Sequence, residues 1–158
     1  MNEESKENSG IILKGALEIA LNNAKDNELQ EYRHRKNTVV TAGRRWVLER
    51  IQSVSPPANT IDNMAIGQST GSLGTDDTAL VSEATRKTIG TMSTTNLTSN
   101  PPSWAAQVSW ATDEANSTLG EVGLFNSTSV GTMLARATFS TINKTSTNTL
   151  SVTYTISN

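Results

Sequence analysis

The sequence predicts a mainly β protein: an antiparallel β-sandwich, immunoglobulin-like or jelly-roll-like, preceded by one or two N-terminal α-helices. Three observations predict it. Charge is concentrated early, with nine of the 13 Lys and Arg inside residues 1–50. The remainder is crowded with Thr and Ser, which suit strands and turns and discourage long helices. Within that remainder apolar residues recur at every second position, the period of a strand with one buried face.

From the N-terminus, residues 3–31 read as a first helix. Ser9 can cap it, and Ile12, Ala16, Ile19 and Ala20 keep helical spacing with charges between them. Asn22-Asn23 and Asp26-Asn27 are poor helix formers and mark where it breaks or ends. A second helix is expected over about 41–52, capped by Thr41, with Trp46, Val47 and Ile51 on a shared face and Pro56-Pro57 as its stop. The chain then divides into a charged helical arm, residues 1–36, and a β-sandwich domain, residues 37–158, that carries its own initial helix. Deleting residues 1–30 is expected to leave that domain folded.

The clearest strands are Trp104-Ala106-Val108-Trp110, with Gln107 and Ser109 on the other face, and Leu150-Val152-Tyr154-Ile156, alternating with Ser and Thr. Between them, residues 121–125 and 132–139 flank Asn126–Gly131, which has the composition of a hairpin loop. Weaker strands are expected at residues 64–67 and 87–92. Short alternating strands with frequent turns describe a sandwich whose inward residues share one core.

Composition sets limits on function. A net charge of -2 lacks the excess of cations that drives sequence-independent phosphate binding, so no specific nucleic-acid role is expected. There is no cysteine, hence no disulfide framework and no Cys-based zinc site. No apolar run approaches the roughly 18–20 residues of a membrane span, and Met1-Asn2-Glu3-Glu4 has the wrong charge for a signal peptide, so no membrane is expected. Aromatic content of 4% is low for a self-sufficient β-domain and points to stability shared in a homo-oligomer, for instance a trimer.

Catalytic and ligand-binding patterns are weak. His34, the single histidine, sits within Arg33-His34-Arg35-Lys36, and one histidine cannot build a His-based metal site or a Ser-His-Asp relay with nearby partners. Asp76-Asp77 and Asp113-Glu114 are the adjacent acidic pairs beyond residue 51, and each reads as a turn. Thr75, Asp76 and Asp77 could hold calcium, although the spacing is not that of an EF-hand. Gly67–Gly74 lacks the Lys-Ser/Thr ending of a phosphate loop. No cofactor, no metal and no enzymatic activity are expected. Trp104 and Trp110 share a strand face, where core packing is the default and a ligand-stacking platform the alternative. The cluster Arg33–Lys36, followed by Arg44-Arg45, is a solvated arm or a clamp on an acidic partner.

From about Tyr32 to Ile156 the order of motifs resembles a broad group of tailed-phage virion proteins, the tail-collar and tail-fibre proteins. The carriers are residues 36–43 before the second helix, Met64-Ala65-Ile66-Gly67, and Thr75-Asp76-Asp77-Thr78-Ala79-Leu80-Val81-Ser82-Glu83 leading to Arg86. Farther on come Gly120–Asn126, Leu134-Ala135-Arg136 and Ile142-Asn143-Lys144-Thr145. The resemblance implies a structural role in a virion assembled in the host cytoplasm, with other virion proteins as partners and no catalytic residues. Longer members continue into a repetitive shaft, which this sequence lacks, so a short neck, collar or fibre adaptor is expected. Capsid decoration and a carbohydrate- or receptor-binding module are the alternatives. Partner binding is assigned to the arm, through Ile12, Ile19, Arg33, Arg35 and Lys36.

Overall fold

Leu17, Ile19 and Leu21 alternate with Glu18, Ala20 and Asn22, and in the computed structural model, which describes residues 12–52, 60–93 and 101–158, they open the fold as a strand. The elements are β1 (Lys14–Asn23), β2 (Leu29–Lys36), β3 (Thr38–Val39), α1 (Thr41–Gln52), β4 (Asn63–Gly67) and β5 (Glu83–Thr88). They continue with β6 (Thr91–Ser93), β7 (Ser103–Trp110), β8 (Thr118–Phe125), β9 (Met133–Asn143) and β10 (Asn148–Ser157). Sheet A has the order β2-β1-β10-β7-β6 and sheet B the order β3-β9-β8-β4-β5, each of five strands. Every pairing is antiparallel. The chain is a β-sandwich, as its period-two patterning predicts, with one helix beside it among the described residues.

The expected first helix is overturned over its described part. Residues 14–36 form a hairpin, and β1 pairs along its length with β10, from Lys14 opposite Ser157 to Asn23 opposite Asn148. Helical spacing of Ile12, Ala16, Ile19 and Ala20 competes here with the alternation of Leu17, Ile19 and Leu21. The strand wins because it puts those three side chains, all buried, into the core. Asn22-Asn23 and Asp26-Asn27 belong to the hairpin turn, where Asn27 takes a φ of 60° and Asp26 accepts the Glu28 N–H. Residues 12–36 are therefore part of the sandwich and not an arm outside it, and the expectation that the domain folds without residues 1–30 falls with the helix. Ser9 and Pro56-Pro57 lie outside the described residues.

The second helix forms where expected, yet Thr41 does not cap it with its side chain. Its hydroxyl donates to Asp76 Oδ1 at 3.1 Å and its N–H to the Thr75 carbonyl at 2.6 Å, tying α1 to the loop before β5. Gly43 seats the helix: a Cβ there would lie 2.1 Å from the Leu134 carbonyl oxygen of β9. The segment expected as one strand over 87–92 is two, β5 in sheet B and β6 in sheet A, because the chain crosses between the sheets at Ile89-Gly90.

Inward faces of both sheets meet in one core. Leu17, Ile19, Val108, Trp110, Val152 and Tyr154 of sheet A pack on Met64, Ile66, Val122, Leu124 and Phe139 of sheet B. Each fully buried aliphatic side chain contributes roughly 1.5–3 kcal/mol. On its other side sheet B carries a third layer, the loop between β4 and β5, whose Leu80 packs with Val40, Ala65, Phe125 and Met133. That cover explains why β4 and most of β8 are buried without alternation.

The same loop is held by charge. Arg136, 1% exposed, donates from Nε to Glu121 Oε2 at 3.0 Å and from Nη1 to Asp77 Oδ2 at 2.7 Å and the Ser72 carbonyl at 3.2 Å. Glu121, fully buried, also accepts the N–H groups of Val81 and Ser82 at 3.1 and 2.7 Å. Asn37 carries the chain from β2 in sheet A to β3 in sheet B, where the next residue, Thr38, lies opposite Arg136. Its Nδ2 donates to the buried Tyr154 hydroxyl at 2.6 Å, over Gly15, where a Cβ would collide with the Asn37 side chain.

Candidate interaction surface

One end of the sandwich gathers the start of β1, the end of β10, the start of β7 and α1. The helix places Arg44, Val47, Leu48 and Ile51 at i, i+3, i+4 and i+7, a stripe on one face. Together with Ile12 and Leu13 of the chain entering β1, they line a groove of about 270 Å³. Three of its walls stand well out in solvent: Ile12 is 54% exposed, Leu48 62% and Ile51 65%. Exposed apolar residues scattered singly are unremarkable, whereas a cluster around one groove is a contact surface in waiting.

This apolar end is also basic. Lys36 lies opposite Ala16, and Arg35 opposite Leu17, which brings both to the start of β1 beside Lys14. Arg44 lines the groove itself. Arg45 lies on the helix in a 2.6 Å pair with Glu49, and Arg50 stacks over the Trp46 ring at 4.9 Å. The two basic clusters of the sequence, around residues 33–36 and 44–45, thus arrive at the same pole. A second apolar hollow on this pole is lined by Trp46, Ile61, Met92, Trp104 and Leu134.

The residues singled out from sequence separate accordingly. Ile12, Arg35 and Lys36 are exposed at this pole. Ile19 is not available to a partner: it is fully buried in the core, because β1 is an interior strand of sheet A. Arg33 points to the sandwich side, where it pairs with Glu31 at 2.6 Å and donates to Ser140 of β9 at 2.9 Å, linking the two sheets. Trp104 is half-buried at the pole, but Trp110 is sealed in the core at the other end of β7. Six residues of strand, about 20 Å at 3.3 Å per residue, separate the two, so they do not form one stacking platform.

Of the two acidic pairs, Asp76, Asp77 and Glu114 are engaged within the fold, while Asp113 is exposed. Asp76 accepts from Thr41. Asp77 accepts the Gly74 N–H at 3.0 Å and pairs with Arg136, and these hold its carboxyl below the usual range, the Gly74 bond contributing most. Glu114 is likewise held low, first by Lys87 at 2.8 Å and then by the Ala111 N–H. Burial pushes the Lys144 ammonium down from its ordinary value while its Nζ donates to the Ala111 carbonyl at 2.7 Å and Asn116 Oδ1 at 2.9 Å. Among the described residues no three His, Cys, Asp or Glu side chains are grouped to hold a metal ion, and no helix is long and apolar enough to cross a membrane.

Sequence reasoning singled out Arg44 within its basic cluster but missed Leu13 and Leu48 as walls of the groove. Leu48 could have been found, since Arg44, Val47, Leu48 and Ile51 keep helical spacing; Leu13 became visible only when β1 placed it beside α1. Comparison with protein-family models, with curated proteins and with solved structures finds no match.

Proposed function

We propose that this protein is a non-enzymatic structural component of a tailed-phage particle, a short neck, collar or tail-fibre adaptor that joins its neighbours through the α1 pole. The observation that carries the proposal is the apolar groove at that pole, with Ile12, Leu48 and Ile51 exposed around it and cations at its rim. Exposed aliphatic area of this kind costs solubility in a free monomer and is recovered when a second surface covers it. The motif order from Tyr32 to Ile156 supports the particle as the setting. The two-sheet sandwich suits a building block, whereas a carbohydrate platform on Trp104 and Trp110 has less support because Trp110 is buried.

The test is incorporation. A Leu48→Asp, Ile51→Asp variant alters only exposed side chains and is expected to keep the wild-type circular dichroism spectrum and melting temperature. It is also expected to be missing from purified particles when it replaces the wild-type copy. Particles carrying it at the wild-type level would overturn the reading.

A further inference from the structure

The groove has a counterpart on the same chain. β1 runs about 30 Å from the α1 pole to the hairpin turn, ten residues at 3.3 Å each, and β2 begins there with Leu29, 56% exposed. The turn beside it carries Asp26 and Glu28 against a single Lys25, all three exposed. The neighbouring turn between β7 and β8 adds an exposed Asp113 at the same end, while its Glu114 is paired with Lys87 and the buried Lys144 lies behind both. One pole of the sandwich is therefore an apolar groove with a basic rim, and the other presents an apolar side chain among carboxylates.

Resting on the reading of the α1 pole as an assembly contact, we propose that its occupant is a second copy of this chain, docked head to tail. Leu29 of one copy enters the groove of the next, between Ile12, Leu48 and Ile51, and Asp26 and Glu28 meet Arg44 and its cationic neighbours. A two-fold contact of groove against groove would instead oppose Arg44, Arg45 and Arg50 of two copies, which like-charge repulsion disfavours. A head-to-tail contact uses two different patches, so repeated copies close into a ring when the rotation between them allows it.

Different patches also make the proposal testable by mixing. Sedimentation of the full wild-type chain is expected to show assemblies larger than a dimer that shrink as salt rises, since the rim is electrostatic. Leu29→Asp and Leu48→Asp, each at an exposed position, are expected to be folded monomers. Their equimolar mixture is expected to form a dimer and stop there, because the first variant keeps a working groove and the second a working Leu29. Self-association of Leu29→Asp at the wild-type level would overturn the proposal in favour of a two-fold contact, and a mixture that stays monomeric would overturn it outright. A wild-type chain that is monomeric, while the groove variant is still lost from particles, would sink the head-to-tail contact and leave the assembly reading standing. Retention of a labelled DNA duplex by the monomer, abolished by Arg44→Glu, would also count against it by assigning the basic rim to phosphate.

Discussion

The side-chain amide of Asn37 donates a 2.6 Å hydrogen bond to the phenolic oxygen of Tyr154, joining the corner between the sheets to the strand at the centre of sheet A. Burial raises the Tyr154 hydroxyl above its usual range, and the phenol has the Asn37 amide as its partner. Asn37 as a whole is only partly buried, although its Oδ1 is enclosed without a hydrogen-bond partner.

The two deletions of that bond are therefore unequal. Asn37→Ala strands a buried hydroxyl and is expected to cost about 1–3 kcal/mol, whereas Tyr154→Phe removes the buried group itself and should cost about 1 kcal/mol or less. Urea denaturation of both single variants checks the order; equal losses would contradict it.

Arg136 and Glu121 form a buried pair that holds the loop between β4 and β5. Removing one partner leaves an uncompensated buried charge, at about 3–5 kcal/mol, whereas an apolar replacement of both is often far milder. Arg136→Met is thus expected to destabilise more than Arg136→Met with Glu121→Leu. Hydrogen exchange should also rise at Val81 and Ser82 in the double variant, whose N–H groups lose their acceptor.

Two glycines contrast two kinds of close approach. Gly→Ala within a helix normally gains roughly 1 kcal/mol, but at Gly43 the new methyl meets the Leu134 carbonyl, so overpacking of about 1–3 kcal/mol or more should reverse the sign. At Gly15 the obstacle is the Asn37 side chain, which can rotate away at the cost of its bond to Tyr154. Thermal melts should rank Gly43→Ala below Gly15→Ala, and Trp46 fluorescence should report displacement of α1 only in the former.

Acid should weaken the fold through Asp77 and Glu114, both held below their ordinary values of 3.8 and 4.5. A carboxyl whose folded value is depressed adds stability that is fully present above its unfolded value and lost as pH falls through the folded one. Melting temperature is expected to be level near neutrality and to fall below about pH 4.5. In Glu114→Gln the fall should be shallower, and modestly so, because the Lys87 pair is about a third exposed.

Removing residues 1–30 deletes β1, and with it Leu17, Ile19 and Leu21 from the core and one of the two strands paired with β10. The truncated chain is expected to lose its cooperative melting transition. A sharp transition near the wild-type temperature would mean that β1 is dispensable.

The strands that face one solvent and one core side, β7 and β10, were legible because Trp104 to Trp110 and Leu150 to Ile156 alternate without interruption. β1 was misread because Ala16 and Ala20 fit either period, and β2 gave no apolar alternation since its half-buried positions are Glu31 and Arg33, charges that guard the side of the sandwich, while Leu29 and Tyr32 stay exposed. The basic clusters were visible in sequence, but not that both lie at one pole. That depends on pairings between residues far apart, as does the Arg136 network, whose partners Asp77 and Glu121 lie in different elements.

The strand order also sets a timetable. Sheet B draws on segments between Thr38 and Asn143, but in sheet A the early β1 lies beside the final β10. The β1–β2 hairpin must therefore wait, its Leu17, Ile19 and Leu21 uncovered, until the last strand has left the ribosome. Pairing over so long a separation is slow, and slow closure leaves the chain exposed to aggregation. The half-buried charges of β2 stand beside those waiting side chains during that interval, and discourage stray strands from adding to the free edge before the sandwich closes.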